Sequence, residues 1–218
     1  MYMSRLALDA GRRETMRALQ EPQILHKAVE SAFPGERERR LWRIDWLGDT
    51  CWLLIVSRDE PDMGTIQRPF GFPSREKAGV SKRYAPFLNR LEKGQIWRFR
   101  LKANPVVSVA VSNRQSGERG KVHAHVTQWQ QKEWLAKRAN KYGFEIQPDG
   151  FDVTHTSWHR FEKTDGEQVI LRTAVFEGCM VVSDADLLRK TLCEGIGRAK
   201  AYGCGMMTLA RLPAKSDG

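Results

Sequence analysis

The chain has 218 residues, of which 41% are hydrophobic and 28% charged, enough apolar side chain for an ordinary core and too much for a disordered chain. Lysine and arginine number 36 against 26 aspartates and glutamates, a formal net charge of +10. A field of that sign attracts polyanions, nucleic acid first and acidic membrane surfaces second. Apolar stretches such as Leu53-Leu54-Ile55-Val56 are of strand length, and the run from Met1 to Asp9 has no signal-peptide core with a small-residue cleavage site. Cys51, Cys179, Cys193 and Cys204 form no CxxC pair and sit among apolar residues, which reads as free thiols in a reducing cytoplasm.

In chain order, Arg5-Leu6-Ala7-Leu8 predicts a first strand. Pro22 suits the first turn of a helix, where its missing N–H needs no partner. Leu25, Ala28, Val29, Ala32 and Phe33 then recur at helical spacing until Pro34-Gly35. Leu41 to Trp46 and Trp52 to Val56 flank Gly48-Asp49 and predict a hairpin. Gln67 to Tyr84 mixes Pro, Gly, Ser, Lys and Arg and reads as a basic loop; Pro86 to Leu91 suggests a short helix, and Gln95 to Leu101 a strand. That order, strand, helix, strand, strand, short helix, strand, is the ferredoxin-like one. A polar break from Asn113 to Lys121 follows. Beyond it come a helix from Gln128 to Lys141, strands at Asp152–Lys163 and Gln168–Val182 around the turn Asp165-Gly166, a helix opened by Asp184, and a last strand from Met206 to Leu212. The fold class expected is α+β, two tandem ferredoxin-like (RRM-like) βαββαβ lobes, residues 1–112 and 113–218.

Asp59-Glu60-Pro61-Asp62 is the compact acidic cluster, and with Met63-Gly64 behind it the segment reads as a solvated loop rather than a metal site. His123-x-His125 and His155-x3-His159 invite a zinc reading, but neither has a cysteine or third histidine at ligand spacing. The run Gly195-Ile196-Gly197-Arg198-Ala199-Lys200-Ala201-Tyr202-Gly203-Cys204-Gly205 matches neither the phosphate loop of nucleotide hydrolases nor the dinucleotide fingerprint. Its glycines allow close approach beside the cations Arg198 and Lys200, which suits a phosphodiester backbone, a tight turn, or both. His26 lies at the margin of the apolar helix stripe, with Gln23 and Glu30 beside it. A histidine there is commonly a surface residue. On a basic chain it is also the group a metal-free ribonuclease needs, moving protons near neutral pH while the RNA's own 2′-hydroxyl attacks.

Several stretches together resemble the CasE family, the CRISPR RNA-processing endoribonucleases of type I-E (Cascade) systems. They are the opening Met1-Tyr2-Met3-Ser4-Arg5-Leu6, Pro22-Gln23-Ile24-Leu25-His26, Arg98-Phe99-Arg100-Leu101-Lys102-Ala103-Asn104-Pro105, Val175-Phe176-Glu177-Gly178, and the glycine-rich run. The resemblance implies two ferredoxin-like domains and one metal-free cut at the 3′ base of the repeat stem-loop, leaving a 5′-hydroxyl and a 2′,3′-cyclic or 3′ phosphate. It implies no cofactor and no metal. The partners it implies are the CRISPR RNA repeat hairpin and the other Cascade subunits, with no membrane. His26 takes the catalytic role. Some relatives carry a tyrosine three residues before it, where this chain has Gln23, an amide that can donate to a non-bridging oxygen but cannot exchange protons as a phenol does.

For RNA binding, the candidates are Arg114, Arg119 and Lys121 in the polar break, Arg160 and Lys163 leading into the Asp165-Gly166 turn, Arg198 and Lys200 in the glycine-rich run, and Arg98, Arg100, Lys102 and Asn104. The deep, narrow major groove of A-form RNA hides base edges, so these cations address shape and backbone. Neither lobe carries the aromatic signature of an RRM. A non-catalytic subunit that only holds the hairpin is the alternative, kept open by Gln23.

Overall fold

The computed structural model describes residues 1–36, 38–73, 79–109, 121–162 and 166–212. In the first lobe β1 (Tyr2–Leu8) leads through α1 (Arg13–Gln20) and α2 (Pro22–Ser31) to β2 (Leu41–Leu47), β3 (Thr50–Ser57), α3 (Met63–Phe70) and β4 (Val80–Arg83). The sheet order is β2-β3-β1-β4 with antiparallel neighbours throughout, which is the ferredoxin-like order. Leu47 pairs with Thr50 across Gly48, whose φ of 57° supplies the left-handed turn the hairpin needs. Alternation along the strands turns Leu6, Leu8, Leu53 and Ile55 toward Leu25 and Val29 of α2 and Ile66 and Phe70 of α3.

Two expectations for this lobe are corrected. The acidic cluster ends in a helix cap: Asp62 accepts from the Gly64 amide at 3.0 Å and from Thr65 Oγ1 at 2.8 Å, opening α3 where a loop was expected. The segment 67–84, expected as a basic loop, contains the last turn of α3 and strand β4. The Gln67 side chain ties the two, donating to the Phe72 carbonyl at 3.0 Å and accepting from the Gly79 amide at 3.3 Å. Helix α1, absent from the sequence reading, is held by α3: Thr15 Oγ1 donates to the Phe70 carbonyl at 3.1 Å and Arg12 Nη1 to the carbonyls of Arg68 and Gly71.

After the short α4 (Ala85–Leu88), the second lobe comprises β5 (Ile96–Ala103), β6 (Val106–Val109), β7 (Lys121–Ala124), α5 (Gln128–Ala139), β8 (Phe144–Glu145), β9 (Phe151–Glu162), β10 (Gln168–Val182), α6 (Ala185–Glu194) and β11 (Met207–Ala210). Its sheet runs β11-β5-β10-β8, with β9 also on β10, while β6 and β7 form a separate ribbon. Strand β5, expected to close the first lobe, therefore opens the second. The reason is register: Ile96 to Ala103 pairs with Val181 to Ala174 of β10 on one side and with β11 on the other, while the first lobe closes with β4 on β1. The expected division at 112/113 lies outside the described residues. Helix α5 opens on a reciprocal cap between Thr127 and Gln130, and α6 on Asp184, which accepts from the Leu187 amide at 3.0 Å. Trp134, Leu135, Leu188 and Leu192 of these helices cover Phe99, Leu101, Phe144, Phe176 and Met180 of the sheet.

The two sheets share that core, since Leu41 and Val56 of the first sheet sit in it beside Leu101 and Ala103. Between them lies Arg43 of β2, 1% exposed. Its Nε donates to Asp45 Oδ1 at 2.9 Å and its Nη2 to Asp45 Oδ2 at 2.6 Å and Thr208 Oγ1 at 2.7 Å. Its Nη1 reaches the carbonyls of Arg100 and Met206, both at 2.8 Å. All the guanidinium hydrogens thus have acceptors. Removing one member of such a pair strands the other charge. Arg43→Met is accordingly expected to lower the unfolding free energy by about 3–5 kcal/mol in denaturant titration; a loss below about 1 kcal/mol would contradict the arrangement.

Candidate active site

Pro22 starts α2 at its first helical position, and the buried Leu25 and Val29 anchor the helix to the sheet. One step round from that stripe, His26 is half-buried, its side chain 13% exposed. Gln23, His26, Lys27 and Glu30 line an open pocket of about 410 Å³ with Phe33, Gly35 and Arg40. The face expected from the helical spacing of Gln23, His26 and Glu30 is therefore assembled, and the turn after α2 adds Arg40.

The glycine-rich run folds back on the first lobe. Ile196 N–H donates to the Gly205 carbonyl at 2.8 Å and Gly205 N–H to the Lys102 carbonyl at 2.7 Å, closing a loop against β5. Lys200–Tyr202 forms one 3-10 turn that packs against α2 and β2. Gly203 has a φ of 74°, and a Cβ there would lie 2.8 Å from the Trp42 ring. Close approach is thus what the run is built for, and Lys200 is brought to the helix that carries His26. Burial, then Arg39, holds the Lys200 ammonium below its ordinary pKa, with Glu194 opposing.

A second cleft of about 330 Å³ runs between the lobes, lined on α2 by Pro22 and Leu25, on β5 by Arg100 and Lys102, on β9 by His155, Ser157 and His159, and by Tyr202. Alternation along β9 puts both histidines on one face, a signal present in the sequence; that β9 faces α2 is tertiary and was missed. His155 Nε2 shares a hydrogen bond with Ser157 Oγ at 2.8 Å, and His159 Nε2 lies 3.4 Å from Thr173 Oγ1. Among the described residues no group of three or more His, Cys, Asp or Glu side chains is placed to hold a metal ion.

The remaining predicted residues divide. Arg98, Arg160 and Arg198 are exposed, and Arg198 Nη2 reaches Ser108 Oγ at 3.4 Å. Arg100, 33% exposed at the cleft wall, is engaged by Asp45 at 3.1 Å and by Glu177. Asn104 is half-buried, and its Oδ1 has no hydrogen-bond partner among the described residues. Arg114, Arg119 and Lys163 lie outside the described residues, as does the side chain of Lys121. The exposed cations thus stand on three different segments, Arg98 on β5, Arg160 on β9 and Arg198 in the glycine-rich run.

Burial, reinforced by Lys102 and His155, pushes the His159 imidazole down to about 4. The unfolded chain binds a proton near 6.5 that the folded chain refuses, so this group's stabilisation is complete above 6.5 and lost as pH falls toward 4. NMR titration is expected to show His159 neutral at pH 6; a midpoint at or above about 6.5 would contradict the burial.

The chain is similar to the CRISPR-associated endoribonuclease Cse3 of Thermus thermophilus, at 29% identity over 231 residues covering 96% of this chain and 100% of that protein. It is similar to the CRISPR system Cascade subunit CasE of Escherichia coli (strain K12), at 30% identity over 125 residues, 56% of this chain and 62% of that protein. Its fold superposes on a solved structure of the CRISPR endoribonuclease Cse3 bound to a 19-nucleotide RNA with a TM-score of 0.79, at 26% identity and 97% and 100% coverage of the two chains. The likeness read from the opening strand, the His26 helix and the glycine-rich run thus extends over both lobes. With the family model described as CRISPR associated protein matching residues 1–211, the chain belongs to the CRISPR associated protein family.

Proposed function

We propose that this protein is a metal-independent endoribonuclease that cuts precursor CRISPR RNA once, at the 3′ base of the repeat stem-loop, and stays on the mature guide as a subunit of Cascade. The observation that carries this reading is a half-buried histidine on the helix where the two lobes meet, in a chain similar along 96% of its length to an RNA-cutting relative. In the reaction the 2′-hydroxyl oxygen of the nucleotide before the cut attacks the adjacent phosphorus. The P–O5′ bond breaks, a 2′,3′-cyclic phosphate forms, and the leaving oxygen takes a proton to become a 5′-hydroxyl.

His26 exchanges a proton with one of the two oxygens. Gln23, on the same pocket wall, donates its amide N–H to a non-bridging oxygen. Lys200, packed on α2 through its turn, offers charge to the phosphorane. Arg98, Arg160 and Arg198 lead the RNA backbone to the site, joined by Arg114, Arg119, Lys121 and Lys163, and by Lys102 on the wall of the inter-lobe cleft. Asn104, whose Oδ1 has no partner among the described residues, accepts from a ribose hydroxyl. Arg100 holds the β5 strand in place for these contacts. In this division the first lobe supplies the catalyst and the second most of the grip.

Among the described residues no helix is long and apolar enough to cross a membrane, and the four cysteines are free. Reduced thiols support a cytoplasmic location.

His26→Ala is expected to slow hairpin cleavage in EDTA by about 10²–10⁴-fold while leaving hairpin affinity intact; unchanged cleavage by the variant would remove His26 from the reaction. Arg160→Ala is expected to reduce the salt dependence of hairpin binding by about 0.7–0.9 in the log–log slope without moving the cut. An unchanged slope would take Arg160 off the RNA.

A further inference from the structure

Helix α2 contributes more to the site than the histidine. His26 and Glu30 are one turn apart on one face, and His26 Nδ1 lies 4.0 Å from Glu30 Oε1. The other carboxylate oxygen, Oε2, accepts from Arg40 Nη1 at 2.6 Å. Arg40 is fixed in turn: its Nη2 donates to the Glu36 carbonyl at 3.2 Å, and its guanidinium lies 4.3 Å from the centroid of the Phe33 ring. Its side chain is 7% exposed and that of Glu30 24%. One oxygen of Glu30 is thus clamped by a buried cation, and the other is turned to the imidazole.

We propose that Glu30, held by Arg40, is a positioning residue for His26, keeping the Nδ1 proton on its own side so that Nε2 is presented to the RNA. The inference rests on His26 as the catalyst and deepens that reading. A neutral imidazole carries one N–H and one lone pair, and the partner of one nitrogen decides the role of the other. A carboxylate at Nδ1 fixes the ring and stabilises the imidazolium that exists whenever Nε2 holds the proton in transit. The 4.0 Å separation is an ion-pair distance, and contacts of this kind tighten when substrate enters. Arg40 keeps the carboxylate aimed; an unclamped pair at a helix surface would contribute little. Gln23 cannot share the proton work, so the tuning of the site falls on His26 and this pair.

The test combines nitrogen-15 NMR of the His26 ring in the free wild-type protein at pH 8 with single-turnover cleavage of a repeat hairpin by wild type, Glu30→Gln and His26→Ala. The expected spectrum is the Nδ1–H tautomer. Glu30→Gln is expected to cleave about 10–100-fold more slowly with hairpin Kd unchanged within about twofold, and to shift the ring toward Nε2–H. A wild-type ring protonated at Nε2 overturns the proposal, as does Glu30→Gln cleaving at the wild-type rate, or losing affinity with the tautomer unmoved. If Glu30→Gln does not fold, the wild-type spectrum decides alone. Failure of the underlying reading looks different, as undiminished cleavage by His26→Ala.

Discussion

The Arg43 guanidinium, buried between two sheets, is the constraint on which the geometry of the site depends. A charge taken out of water is costly, and it is tolerated only where every donor finds an acceptor. Arg43 meets that condition by gathering Asp45 from its own strand, a carbonyl of β5, the Met206 carbonyl and Thr208 of β11. Charge then alternates onward from Asp45 to Arg100 and Glu177. Apolar contacts alone would let the sheets slide; these bonds are directional and set one register between them. Trp42, the neighbour of Arg43 in β2, is the residue that Gly203 presses against. The lock that aligns the sheets therefore also sets how the glycine-rich run meets α2, and with it the surroundings of His26.

A net charge of +10 says that the molecule suits a polyanion without saying which cations serve it. The structure separates them. Arg43 and Arg40 are buried against carboxylates and build the frame, and Arg100, a third exposed, is tied to Asp45 beside them. Arg98, Arg160 and Arg198 stand exposed, Arg198 with a hydrogen bond to Ser108. Lys102 and Lys200 lie between these groups, half-buried, where a lower local dielectric strengthens the field of a positive charge. His159, kept neutral by the same burial, adds a polar wall to the cleft without adding charge.

Much of this was readable from local pattern. The α2 stripe of Leu25 and Val29, the Gly48 hairpin, the Asp184 cap and the long β9–β10 pair follow from periodicity and turn chemistry. The spacing of Gln23, His26 and Glu30 placed them on one face. What escaped had physical reasons. Helix α1 buries only Thr15 and Ala18, too little for a stripe. Helix α3 is disguised by Gly64 and Pro69, and β4 is a four-residue strand with largely exposed side chains. The lobe to which β5 belongs is decided by pairing with residues far along the chain, as Ala103 with Ala174 shows, and no window of sequence contains that. Arg40 reaches Glu30 across the turn after α2, and His155 and His159 reach the cleft through the packing of β9; both are tertiary facts.

The central claim is that the RNA supplies its own nucleophile and the protein supplies proton transfer. The most direct measurement uses a repeat hairpin carrying a single 2′-deoxy nucleotide immediately before the cut, incubated with the wild-type protein in EDTA beside the all-ribose hairpin. The account predicts equal binding of both, a single cut with a 2′,3′-cyclic phosphate end in the all-ribose RNA, and no cut in the deoxy one. Cleavage of the deoxy hairpin at the same position would show that water or a protein group is the nucleophile and would contradict the mechanism.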